Sequence, residues 1–428
     1  MQLDLTRSKT TRTVKDLIST CNYQNLFVIS NLGQLKHITG IIKNKNITNC
    51  FLLVVYTESN FTVPQAIHDN FDSYIFDHVL FFKLPKNPNG TNLKNIKAME
   101  LGYRTVINTV NPENLYLNSF QFHYSILANV AKKSGLKVIL IEEGLGTYRL
   151  GLENHDNNSQ LLNFDLIKRV SKDTISKTEF FKRLYKKYKM TKELTVESKR
   201  FVKKLYLSSE VQDKLINFYP NSNLKNFHKP FLNFDESYTS FPNLTKRKFN
   251  IKKNNYYFSF DESTVDEREY ALSIIDKYNI TSNDYLYLSQ KFNIDRNEYL
   301  AIVKESILNL LRETDSNIFI KLHPKQEHEL VLEGFLKMEK ETGGRIEVIK
   351  ESGFLIEEVI RLSKIKGVIG ITSSALVYTS LLSSQCKSYS ISDTLVDKLI
   401  KHERNSKGIS MIKQHTEILR QFDNIDFI

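Results

Sequence analysis

Two α/β domains, each built on a parallel sheet, are the fold this 428-residue chain predicts. Three observations lead there. The length exceeds what a single ordinary core fills, so two domains are the expectation. Short apolar runs alternate with amphipathic stretches, which is the pattern of βαβ units. The alternation breaks off in mid-chain and then resumes, so two sheets are joined by different material. Hydrophobic residues make up 41% of the chain, and 27 Phe and 21 Tyr replace the missing Trp as bulk for a packed interior.

In the first half, the strand-like runs are NLFVIS around 26–31, CFLLVVYT at 50–57, HVLFFKL at 78–84, NLYLNS at 114–119 and KVILIEE at 137–143. Helical stretches separate them. One is QFHYSILANVAKKSG at 121–135, whose Gly135 suits a helix C-terminal cap. From about 160 to 215 the periodicity is helical, with a strong basic bias, and predicts one or two inserted helices. Residues 216–256, rich in Asn, Phe and Pro, read as an irregular linker. Strand-like runs return with DYLYLSQ at 284–290, NIFIKLHP at 317–324, RIEVIK at 345–350, GVIGIT at 367–372 and SYSIS at 388–392. Among the helices between them is RNEYLAIVKESILNLLRETD at 296–315. The domains are therefore drawn as 1–255, with the insertion at about 160–215, and 256–428, with the last helix placed to pack back on the N-terminal domain.

Charge and cysteine content narrow the partners. Net charge is +12, and between Lys168 and Lys204 there are 14 Lys or Arg against 4 Asp or Glu. A second cluster, KRKFNIKK at 246–253, has five basic residues and no acid. Such concentration suits a polyanion, whether nucleic acid, acidic lipid or acidic polysaccharide, or else forms a solvated helical face. Three scattered cysteines, Cys21, Cys50 and Cys386, argue against a disulfide framework or a zinc site and for a reducing compartment. No apolar leader opens the chain, and no run approaches the roughly 18–20 residues that span a bilayer.

Three strand ends carry chemistry. The run KVILI delivers Glu142 and Glu143 to one spot, followed by Gly144 and Gly146. Neighbours on a strand point opposite ways, so one carboxylate serves structure and the other is open to act as a general base. The run FIKLHPK ends in His323 and Pro324, flanked by Lys321 and Lys325. That composition suits proton transfer beside an anion. GVIGITSSALVYTSLL ends a strand in Thr372, Ser373 and Ser374 and opens a helix, whose first N–H groups and hydroxyls favour a phosphate or carboxylate. Each feature also has a structural explanation: acids that cap a helix, a core histidine, plain N-capping. Ligands of parallel sheets sit at strand C-terminal ends, and in a two-sheet enzyme that places the site in the cleft between domains. Together the three ends supply a base in one domain and an acid with an anion site in the other, as transfer of a sugar from a nucleotide donor to a hydroxyl requires.

The order Glu142-Glu143-Gly144, His323-Pro324, Ser373-Ser374 resembles bacterial sialyltransferases, and the capsule polysialyltransferase family in particular. The motifs are short, span about 230 residues and touch both domains. The resemblance implies a GT-B glycosyltransferase, with two Rossmann-like domains facing a central cleft. It implies CMP-sialic acid as donor, no metal and no other cofactor. The acceptor is oligo- or polysialic acid, bound by the first domain, and the second domain binds the donor. Carried onto this chain, the base is Glu142 or Glu143, with Glu142 preferred, and the acid at the departing CMP phosphate is His323. The donor ligands are Ser373 and Ser374, with Pro324, Lys325 and Gly144 beside them. Direct displacement inverts the anomeric carbon. The basic insertion, represented by Lys182, Arg183, Lys186, Lys187 and Lys189, is expected to grip the growing polyanion. The expected location is cytoplasmic, with scope for peripheral attachment at the inner membrane and a capsule export complex there as partner. Nucleic acid is not an expected partner. A sialyltransferase that adds one residue to lipooligosaccharide, and a non-catalytic polyanion binder, are the alternatives.

Overall fold

The computed structural model describes residues 3–4, 23–60, 62–86, 88, 93–150, 230–323, 329–399 and 405–428. The insertion at 160–215, with Lys182, Arg183, Lys186, Lys187 and Lys189, lies outside the described residues, as do Pro324 and Lys325. The chain divides into two compact units, Met1–Ser259 and Phe260–Ile428. Each carries one sheet, so the fold is α/β with two Rossmann-like domains.

Among the described residues the first sheet has eight strands: β1 (Leu3–Asp4), β2 (Asn25–Ile29), β3 (Cys50–Tyr56), β4 (His78–Lys83), β5 (Asn114–Leu117), β6 (Lys137–Ile141), β7 (Asn233–Thr239) and β8 (Asn250–Tyr256). Their spatial order is β1-β4-β3-β2-β5-β6-β7-β8. Every pairing is parallel except that of the two-residue β1, which runs antiparallel to β4. The helices between are α1 (Leu32–Lys45), α2 (Thr62–Asn70), α3 (Leu93–Val110), α4 (His123–Lys133) and α5 (Pro242–Lys248). From β2 the chain winds outward through β3 and β4, then returns to β5 and winds the other way. The switch point therefore lies between β2 and β5, where crevices of such sheets form.

The strands are apolar on both faces because helices cover both. Val138 and Leu140 of β6 enter the core shared with α3 and α4, while Ile139 and Ile141 enter the one shared with α1. Helix α4 ends as its sequence predicts: Gly135 follows with φ +82°, a conformation that glycine adopts without penalty.

Part of the stretch read as an irregular linker is regular: 216–229 lie outside the described residues, while residues 233–256 form β7, α5 and β8. The pattern hid them because β8 is the outermost strand, with one neighbour and a largely open face, and needs no apolar run. Its lysines are put to local use. Lys252 pairs with Asp235 at 2.8 Å and Lys253 with Glu236 at 3.7 Å, while Lys248, at the end of α5, donates to the Leu150 carbonyl at 2.7 Å.

Asp235 fastens four elements. Its carboxylate accepts from the Val138 amide at 2.8 Å, from Lys132 at the end of α4, and from Lys252. Burial alone would raise its pKa; the two ammonium groups and the amide overcome that and hold it at about 2, against an ordinary 3.8. A carboxylate depressed by folding adds stability above its unfolded pKa, and that stability fades as pH falls between about 4 and about 2. Asp235→Ala strands a buried amide and a cation, so at neutral pH it should cost about 2 kcal/mol, read from the denaturant midpoint.

Among the described residues the second sheet has six strands, all parallel: β9 (Tyr285–Leu288), β10 (Ile318–Lys321), β11 (Ile346–Ile349), β12 (Gly367–Gly370), β13 (Lys387–Ser390) and β14 (Ile425–Phe427), ordered β11-β10-β9-β12-β13-β14. The switch point lies between β9 and β12. Helices α6 (Val265–Tyr278), α7 (Arg296–Arg312), α8 (Glu329–Glu341), α9 (Ile356–Ser363), α10 (Ser374–Leu382), α11 (Ser392–Leu399) and α12 (Ser406–Leu419) flank it. Helix α6 starts on a capping box in which Thr264 and Glu267 satisfy each other's backbone N–H groups. The last helix lays Ile409 and Ile412 into the core of the second domain. The chain then closes the sheet with β14. Among the described residues no helix is long and apolar enough to cross a membrane.

Candidate active site

The acidic pair splits into two unlike carboxylates. Glu142 is 3% exposed. It accepts from the Ser240 amide just past β7, and the Tyr148 hydroxyl hydrogen-bonds the same carboxylate. Its backbone N–H donates to the Tyr238 carbonyl at 3.1 Å, continuing the β6–β7 ladder. A buried carboxylate held by an amide and a phenol joins β6, β7 and the turn that follows, and this accounts for its burial.

Glu143 keeps solvent-accessible surface, although protein atoms surround it on several sides. Gln34 Nε2, in the first turn of α1, donates to its Oε1 at 2.5 Å, and the Glu143 amide donates to Thr147 Oγ1 at 3.0 Å. The Asn31 side chain, which caps α1, hydrogen-bonds the carboxylate too, and Arg149 lies near enough to attract it. Loss of hydration outweighs these contacts, so the Glu143 carboxyl is raised above the ordinary carboxylate value. Gly144 turns the chain immediately afterwards at φ +118°, ψ −151°, a region that a side chain makes costly. That turn starts the 3-10 segment Leu145–Tyr148, which brings Thr147 back under Glu143. Glu143 thus reaches from the end of β6, across β5, to the start of α1 after β2, over the first switch point. Asn118, at the end of β5, donates to the Glu142 carbonyl at 3.4 Å, and its buried Oδ1 has no hydrogen-bond partner among the described residues.

The second and third motifs share the C-terminal edge of the other sheet. His323 stands two residues beyond β10 and is half-buried. Lys321, expected beside an anion, donates to the Glu351 carbonyl at 3.3 Å, with its ammonium 4.4 Å from the centre of the Phe354 ring. Burial lowers its pKa. Ser373 is the N-cap of α10, its Oγ accepting from the Ala375 amide at 3.4 Å, and Ser374 opens the helix. Between these strand ends lies that of β9. There the Ser289 amide donates to the Lys321 carbonyl at 2.9 Å, and Gln290 Oε1 accepts from the amides of Ile371 at 3.2 Å and Thr372 at 2.6 Å. Gln290 therefore stitches the second switch point. Thr372 Oγ1 is buried there without a hydrogen-bond partner among the described residues. A cavity of about 400 Å³ opens beside Gln290, with Lys291, Phe292, Arg296 and Tyr299 also in its wall. Among the described residues no three His, Cys, Asp or Glu side chains cluster as a metal site.

The sequence reading missed Gln34, Asn31, Thr147, Tyr148 and Gln290. Asn31 carries the local signal of a helix N-cap. Gln34 and Gln290 carry none, because their partners are 109 and 82 residues away.

Comparison with known proteins agrees in part. Among solved structures, the UDP-GlcNAc 2-epimerase from Methanocaldococcus jannaschii is 13% identical, with 93% of this chain and 99% of that one covered at a TM-score of 0.43. For the UDP-GlcNAc 2-epimerase from Neisseria meningitidis bound to UDP-GlcNAc the values are 12%, 93%, 92% and 0.44. For a ugt transferase from Siraitia grosvenorii in complex with UDP they are 11%, 93%, 91% and 0.45. No curated protein matches. A family model, described as alpha-2,8-polysialyltransferase (POLYST), matches residues 25–391 and so takes in all three motifs. On that match the chain is a sialyltransferase and belongs to the alpha-2,8-polysialyltransferase family.

Proposed function

We propose that this protein is an inverting, metal-independent polysialyltransferase that moves sialic acid from CMP-sialic acid to the non-reducing end of a growing α2,8-linked polysialic acid in capsule synthesis. The observation that carries the reading is Glu143, an accessible carboxylate at a switch point, with a raised pKa and one oxygen already engaged. A carboxyl so raised accepts a proton more readily than an ordinary one, as a general base must. Of the two acids, Glu143 is the better base, because the oxygens of Glu142 are committed to Ser240 and Tyr148.

In the proposed step, Glu143 takes the proton from the acceptor hydroxyl as its oxygen attacks the anomeric carbon of the donor. The bond from that carbon to the CMP phosphate breaks on the opposite face, and CMP leaves with the electron pair. A single displacement inverts the carbon. His323 protonates or hydrogen-bonds the departing phosphate. The Ser373 and Ser374 hydroxyls and the first N–H groups of α10 offset its charge, which leaves no step that depends on a metal. Pro324, Lys325 and Gly144 are proposed to complete the donor site. The Gln290–Arg296 cavity offers two cations and two aromatic rings to the rest of the nucleotide.

The growing chain carries one negative charge per residue. The basic segment 168–204, with Lys182, Arg183, Lys186, Lys187 and Lys189, is proposed to hold it on charge grounds alone. Attachment to the cytoplasmic face of the inner membrane, beside an export complex, would draw on the same charge. The test is incubation of the purified protein with CMP-sialic acid, with and without oligosialic acid, reading CMP release and product length. A ladder of products with acceptor supports the reading. A single added residue marks a single-transfer enzyme, and no CMP release marks a binder. Reversing Lys182, Lys186, Lys187 and Lys189 to Glu should shorten the ladder at low salt, and parental product lengths would remove the segment from the mechanism.

A further inference from the structure

We propose that Gln34 is a positioning residue for the general base: its side-chain amide grips one oxygen of Glu143 and, together with the Asn31 side chain, favours the ionised carboxylate and holds it oriented for the acceptor hydroxyl. The inference rests on Glu143 being that base. Gln34 is 1% exposed, an unusual place for an amide unless both of its ends are satisfied. They are. Its Oε1 accepts from the Ser30 amide at 2.6 Å and the Ser30 hydroxyl at 3.2 Å, while Nε2 donates to Glu143 Oε1 at 2.5 Å. The orientation is fixed by chemistry. Turning the amide over would set its NH2 against the Ser30 N–H and its oxygen against a carboxylate oxygen, so both contacts would repel. Gln34's own backbone N–H is held by Asn31 Oδ1 at 2.9 Å. The clamp is therefore anchored at the turn between β2 and α1 and acts in one direction, on a group delivered by β6.

The charged and titratable groups facing Glu143 are Arg149, past the 3-10 turn, which also favours the ionised form, and Tyr124 of α4, whose hydroxyl is held neutral well into the alkaline range. Asn31, the other side chain that hydrogen-bonds the carboxylate, stays in place in both variants below. With Gln34 removed, the ionised carboxylate loses a charge-assisted hydrogen bond, and its pKa, already raised, moves higher.

The experiment is kcat/KM against pH for the parent, Gln34→Met and Gln34→Glu, with CMP-sialic acid and an oligosialic acceptor, alongside thermal midpoints. In Gln34→Met the acid limb should move up by about one pH unit, so activity on that limb falls about tenfold and recovers toward the plateau as pH rises. Gln34→Glu keeps an acceptor for the Ser30 amide and should fold even if Gln34→Met does not. It sets a second carboxyl against the first, and because the two resist ionising together, its acid limb should move further still. An acid limb that stays in place in a folded variant, or a loss equal at every pH with a lowered midpoint, overturns the proposal and leaves Gln34 a structural tie. Failure of the underlying reading is seen separately: Glu143→Gln would then keep its turnover whatever Gln34 does.

Discussion

Glu143→Gln should lower turnover by about 10²- to 10⁴-fold while leaving the thermal midpoint at or above that of the parent. The first half follows from the role of base: glutamine keeps the shape and loses the proton acceptor. The second follows from the sign of the pKa shift. Burial is its largest cause and raises the Glu143 carboxyl above its ordinary 4.5 in the folded protein. The unfolded chain then releases its proton first, so stability declines as pH climbs from 4.5 through the folded value. A neutral glutamine is free of that cost at pH 7. Glu142→Gln should behave in the opposite way. Its amide oxygen can keep the Ser240 N–H only by turning its NH2 to the Tyr148 hydroxyl, whose oxygen already accepts from the Phe241 amide at 3.3 Å, so one of the two buried contacts is weakened, at a cost of about 1–2 kcal/mol. Urea midpoints and CMP release measured on both variants separate base from brace. Full turnover in Glu143→Gln, together with a dead but fully stable Glu142→Gln, would exchange the two roles.

The difference between these adjacent acids shows how far the sequence could be read. Strand alternation already says that Glu142 and Glu143 point opposite ways. Which of them is buried depends on Ser240 and Tyr148, and Ser240 sits just past β7 in a stretch that looked irregular. The central strands were legible because both their faces are covered: FLLVV and VILI are apolar and buried along their whole length. Strands β7 and β8, as NFDESYT and NIKKNNY, were not: β8 has one strand neighbour and a largely open face, and β7 beside it carries the acids that the β8 lysines pair with, so neither needs a continuous apolar run. The three motifs were visible because each closes a strand of the readable kind. Gln34 was invisible because nothing around it marks a contact made across β5 to a residue 109 positions away. The basic cluster at 246–253 looked like a polyanion surface, yet Lys248, Lys252 and Lys253 bind groups of their own domain. Counting charges located basic segments without telling which charges were already engaged.

His323→Ala should cost about 10²- to 10³-fold in kcat, with a smaller change in the KM for CMP-sialic acid. Its place supports that split. His323 stands beyond β10, with β9 between it and β12, so two strand spacings, about 10 Å, separate the roots of the histidine and serine motifs. A phosphate bridging such a span would be bound mainly from the α10 side, by hydroxyls and helix N–H groups, and neutralised on departure from the histidine side. Serine substitutions should accordingly act on binding. Ser374→Ala, at the first helical position, should raise KM without unfolding the helix, whereas Ser373→Ala also removes an N-cap and should cost about 1 kcal/mol of stability. The pH profile gives the sharper test. An imidazole that donates a proton must be charged, so the rate should fall on the alkaline side as it is lost, while the acid side belongs to Glu143. In His323→Ala the alkaline fall should vanish and the acid rise should stay where it was. A variant that keeps the alkaline fall, or that loses only donor affinity, would make His323 a phosphate ligand and require another group to protonate CMP.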